Sequence, residues 1–201
     1  MSLRAAKHGE CGKSAAFVFA LCAMPLFAAE LAAPTIHDSI DYRDITGNTE
    51  AALAAALKNT AAADPAGDEF FGRTRWRVQW NFRVESVDGS CRLASATTDL
   101  DIRMSLPRWD PPPSASPELV RRWNRFMSAL RKHEDGHRDI AVAAANAIEK
   151  HAMKAAPEPD CDTLKKTLSQ IADATVQEYR DRGTSYDTTT QHGRTQGATF
   201  P

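Results

Sequence analysis

The sequence predicts an α+β fold, a small antiparallel sheet followed by a long helix and then a second helix. Three observations carry that expectation. Between Arg75 and Glu85, Trp76, Val78, Trp80, Phe82 and Val84 alternate with Arg75, Arg77, Gln79, Asn81 and Arg83. A period of two gives a strand one buried and one solvated face. Asp88-Gly89 is a hairpin signal, and beyond it Leu100, Ile102, Met104 and Leu106 alternate with Asp99, Asp101, Arg103 and Ser105. From Ser116 on, apolar residues recur at spacings of three and four, the period of a helix face. Strands first and helices after them point to α+β rather than to interleaved βαβ units.

The elements follow in chain order. Residues 35–44 form an extended entry segment with Ile36, Ile40 and Tyr42. Asn48 or Thr49 can cap a helix over residues 50–57, which are rich in Ala and Leu. Residues 59–68 are small and polar with Pro65 and Gly67, and predict a loop. On the wet side of the hairpin, Arg75, Arg77 and Arg83 face Asp99 and Asp101, so this arginine row reads as a solvated sheet face rather than a binding patch. Pro107 is expected to end the strand, and Asp110-Pro111-Pro112-Pro113 makes a stiff connector. Ser116 caps the long helix with Pro117 at its first position and Glu118 in its first turn. Its stripe runs through Leu119, Trp123, Phe126, Leu130, His133, His137, Ile140, Ala144 and Ile148 and ends near Lys154, ahead of Pro157. Gly136 sits inside this helix at a cost of about 1 kcal/mol relative to Ala. The second helix is expected from Asp162 to about Arg182. The tail, residues 183–201, is polar, contains glycine and lacks apolar anchors, as if it folded around something.

At 201 residues the chain suits one domain, here residues 30–201, preceded by a segment of another kind. Arg4, Lys7 and Lys13 precede an apolar run over residues 15–29, and small residues cluster at Ala28, Ala29, Ala32 and Ala33. This is the layout of a secretory signal peptide, residues 1–29, and the run is short for a bilayer span of about 20 residues. The expected destination is periplasmic or secreted, with no stable membrane span after cleavage. A formal charge of −1 forms no basic footprint for nucleic acid. Cleavage removes Cys11 and Cys22 and leaves Cys91 and Cys161, which an exported protein pairs as a disulfide. Nothing in the sequence speaks to the oligomeric state.

The chemistry concentrates in His133-Glu134-Asp135-Gly136-His137. Histidines four apart on a helix share one face, one turn apart, and their imidazoles can hold one Zn²⁺. Glu134 points beside such an ion and can act as general base toward its bound water. Two histidines do not complete a zinc site. The residues after His137 lack the further histidine of the metzincin pattern, and His151 lies about 21 Å farther along the helix. Three candidates for a third ligand remain: His192 first, as histidine is the commonest metal-binding side chain, then Glu178, then Asp187.

Several of these features together resemble a known group. They are Trp76-x-Val78-x-Trp80-x-Phe82, Cys91, Leu106-Pro107-x-Trp109, Trp123 ahead of His133-Glu134-x-x-His137, and the closing Tyr186-Asp187-x-x-Thr190-x-His192-Gly193-x-x-Gln196-Gly197. The chain is similar to the bacterial predicted secreted zinc-dependent proteases, a group also carried as a domain of unknown function. That resemblance implies a zincin-like fold, Zn²⁺ as cofactor, a protein or peptide substrate, and a tail that belongs to the site. It also suggests Tyr186 as an oxyanion stabiliser. The expectation is a zinc-dependent peptidase with Glu134 as general base and His133, His137 and His192 on the metal. The rival expectations are a non-catalytic, zinc-stabilised envelope protein and a zinc amidase acting on cell-wall peptides.

Overall fold

The computed structural model describes residues 30–31, 33–63, 67 and 69–201. The proposed signal peptide, and Pro65 in the expected loop, lie outside the described residues. In chain order the elements are β1 (Glu30–Leu31), β2 (Thr35–Ile45), α1 (Glu50–Thr60), β3 (Ala62–Ala63), β4 (Glu69–Phe70), β5 (Arg73–Val87), β6 (Ser90–Trp109), α2 (Pro117–Ala152) and α3 (Cys161–Thr190), closed by a 3₁₀ turn, Arg194–Gln196. The class is α+β.

Asp88 and Gly89 both adopt positive φ, 52° and 78°, and turn β5 into β6 in two residues. Such a turn matches the twist of the strands it joins. The sheet is not purely antiparallel. β5 pairs antiparallel with one edge of β6, while β2 and the short β1 run parallel along its other edge. Ion pairs join the wet faces of β2 and β6: His37–Asp99 at 2.9 Å, Arg103–Asp41 at 3.6 Å and Arg108–Asp44 at 2.6 Å. Pro107 does not end β6. β5 stops opposite Ser105, so Pro107 has a strand partner on one side only, where a missing N–H is tolerated.

Both long helices cover the inner sheet face. Ser116 caps α2 by accepting from the Leu119 amide at 3.2 Å. The first half of α2 buries Trp123, Phe126 and Leu130 against Met104, Leu106, Trp109, Leu53 and Leu57. Its second half packs Ala141, Ala145 and Ile148 on Val78, Leu100 and Ile102, with Ala172 and Val176 of α3 closing the layer. The expected Cys91–Cys161 disulfide is present and ties β6 to the start of α3. Closing a loop of that length restricts the unfolded chain and is worth about 4 kcal/mol in the chain-entropy model. Among the described residues no helix is long and apolar enough to cross a membrane.

The C-terminal region departs most from expectation. α3 does not stop near Arg182 but continues through Gly183 to Thr190. The hydroxyls of Thr184, Thr188, Thr189 and Thr190 each donate to the carbonyl four residues back, which satisfies them inside the helix. Nor does the tail lack anchors. Ala198 is buried, and the Phe200 ring packs 5.7 Å from Trp123 and 5.5 Å from Phe126.

Candidate metal centre

The stripe that buries Trp123, Phe126 and Leu130 carries His133 and Glu134 into the interior, where both are almost fully covered. α3 returns antiparallel and sets Tyr186, Asp187 and Thr190 against them. Three imidazole nitrogens converge on one oxygen, Asp187 Oδ1: His137 Nε2 at 2.8 Å, His133 Nε2 at 3.2 Å and His192 Nδ1 at 3.5 Å. Behind His133, Nδ1 lies 3.0 Å from Gln196 Oε1 and 3.4 Å from Thr190 Oγ1. Thr190 spends its own proton on the Tyr186 carbonyl. Both neighbours of Nδ1 therefore accept, which makes Nδ1 the N–H of His133 and leaves Nε2 facing the site. The Tyr186 ring stacks on His133 at 5.0 Å, and its hydroxyl accepts from Gln196 Nε2 at 3.0 Å.

Two glycines make this closeness possible. A Cβ on Gly136 would collide with the Tyr186 phenol, and one on Gly72 would collide with the Glu134 carboxylate. Thr74 holds that carboxylate, donating from Oγ1 to Oε2 at 2.7 Å.

The charges follow from this packing. Burial pushes the Glu134 carboxyl above its ordinary pKa, against the opposing pull of Thr74 and the two histidines. Burial would likewise raise Asp187, but hydrogen bonds from His133 and His137 outweigh it and hold the carboxyl well below the usual range. At His133 burial pulls downward, yet Asp187, Glu134 and Gln196 prevail and raise its pKa.

His133, His137 and Asp187 form the one group of three among the described residues whose donor atoms all lie within 4.8 Å of one another. Asp187 thus completes this group, and His192 approaches the same oxygen from outside it. The extension of α3 is the reason, since it puts Asp187 on a helical turn opposite His137. Glu178 is remote, exposed and paired with Arg182 at 2.5 Å. His151 bonds Thr175 elsewhere in the fold. Tyr186 is not among the residues that line the cleft; its ring stacks on His133. Thr74 and Gln196 are contributors that the sequence reading does not single out. Gln196 stands in the closing motif, whereas nothing local marks Thr74.

The donor set fits Zn²⁺. With its Nδ1–H given to Gln196, His133 bonds Asp187 through Nε2 only while that nitrogen is protonated; a cation that takes the proton's place would meet an imidazole lone pair and a carboxylate oxygen side by side. Backing of a ligand histidine through its second nitrogen is the usual support of such sites. The group opens on a cleft of about 540 Å³ between the start of β5 and the end of α3.

A family model described as "Bacterial protein of unknown function (DUF922)" matches residues 40–193. No curated protein and no solved structure matches the chain.

Proposed function

The chain belongs to the DUF922 family of bacterial proteins of unknown function, and from that premise we propose that it is a zinc-dependent peptidase acting outside the cytoplasm. The observation that carries the reading is the convergence of His133, His137 and Asp187 donors in an open cleft that also holds the buried Glu134 carboxylate. His133, His137 and Asp187 would hold the ion. Bound there, Zn²⁺ supplies Lewis acidity and a water of lowered pKa.

The chain's own residues do the rest. Glu134 accepts a proton from the attacking water and passes it to the leaving nitrogen. Thr74 fixes the carboxylate, and its burial raises its proton affinity toward what a base near neutral pH requires. Gln196, Thr190 and Tyr186 keep the His133 ring turned with Nε2 toward the cleft. The Cys91–Cys161 disulfide supports an oxidising destination, periplasmic or secreted. A second reading, a closed and non-catalytic zinc site, is favoured by the nearness of His192 to Asp187 Oδ1.

Glu134→Gln tests the choice. It should retain zinc and lower turnover of quenched peptides by about 10²–10⁴-fold, the usual weight of a general base. A zinc-loaded parent that cleaves no peptide would favour the closed site.

A further inference from the structure

The arginines of β5 are not all alike. Arg77 faces Asp101 across the hairpin, 3.9 Å away. Arg75 stands directly opposite Arg103, a like-charge pairing that costs stability in a sheet. Arg103 is compensated by Asp41, whereas Arg75 has no carboxylate within 4.0 Å among the described residues. Arg73 lies 5.9 Å from the Phe70 ring and makes no ion pair with a described carboxylate. On α3, Arg182 takes Glu178 and rests over Tyr179 at 4.2 Å, while Arg180 takes no carboxylate among the described residues.

Arg73, Arg75 and Arg180 line one cleft, the first two from the strand side and Arg180 from the helix side. Only two carboxylates are among the lining residues, Glu134, which accepts from Thr74, and Asp187, which is met by His133 and His137. A chain of formal charge −1 therefore gathers three arginines around its candidate reaction centre, of which Arg75 also borders an outer groove that holds Asp38 and Asp101. The fold does not account for it, because Arg75 works against its own strand pairing. A ligand with negative charge would account for it, since cations focused in a cleft attract and orient an anionic partner. Phe70 and Trp76 line the same cleft and offer apolar surface beside the charges, which suits amino-acid side chains.

We infer that the cleft selects peptides carrying carboxylate side chains close to the bond to be cut, with Arg73 and Arg75 reading one flank and Arg180 the other. The inference rests on the peptidase reading above, and its test separates the two. The probes are fluorescein-labelled dodecapeptides of one scaffold with Glu-Glu, Gln-Gln or Lys-Lys at the centre. Their binding to zinc-loaded Glu134→Gln is followed by anisotropy, where no turnover intervenes. Glu-Glu should bind on the order of tenfold more tightly than Gln-Gln, as a few partly exposed ion pairs allow, and Lys-Lys more weakly than both. High salt should compress the difference. Adding Arg75→Glu and Arg180→Glu should invert the order. Equal affinities, or an order that survives the charge reversal, would overturn the inference. Tight, charge-dependent binding of peptides that the parent never cuts would sustain it and sink the peptidase reading instead.

Discussion

Asp187 Oδ1 is the atom on which the site turns. Three imidazoles meet it, and two of them belong to the same helical stripe, four residues apart. His133 is the most constrained of the three, because Gln196 and Thr190 both take hydrogen bonds from its Nδ1 and Tyr186 covers its ring. Gln196 therefore acts on any bound metal through His133, by fixing which nitrogen carries the proton. Gln196→Ala should weaken zinc affinity about 10–100-fold, the usual weight of such a supporting bond, measured by chelator competition. Circular dichroism should show the fold retained. Unchanged affinity would mean that packing against Tyr186 alone orients the ring.

At the scale of the elements, α2 was legible in the sequence almost residue by residue, because its signals are local: Ser116 and Pro117 at the start, a three-and-four stripe, prolines after the end. The β5–β6 hairpin was legible for the same reason, through strict alternation around Asp88-Gly89. β2 was visible as an extended segment, but its parallel partner β6 lies far along the chain and no local pattern names it. The last turns of α3 were hidden because Gly183 and a run of threonines are poor helix formers, and packing against α2 overrides that preference. The helix end also decides where Asp187 lies, since it reaches His133 and His137 only if the helix continues. Gly136 makes a related point about α2. Propensity alone predicts that Gly136→Ala stabilises by about 1 kcal/mol, but the new Cβ would run into the Tyr186 phenol. Overpacking of this kind costs about 1–3 kcal/mol. The variant should melt below the parent in thermal unfolding; a higher melting temperature would show that Tyr186 can move aside freely.

On the scale of the whole molecule, the site is assembled from parts distant in sequence. Gly72 immediately precedes β5 and Thr74 lies at its start, the His-Glu-His group is on α2, Asp187 on α3 and Gln196 in the closing turn. A metal bound across these parts would stabilise the folded chain as a whole, and the disulfide ties β6 to α3 at the helix end remote from the site. We propose that this convergence is a zinc site with Asp187 as its third ligand. The most direct test is zinc content per chain of the purified protein, measured for the parent, Asp187→Ala and His192→Ala. About one zinc ion in the parent, lost in Asp187→Ala and kept in His192→Ala, is the predicted result. A folded parent that takes up none when zinc is supplied, or a site that survives without Asp187 but not without His192, would contradict it.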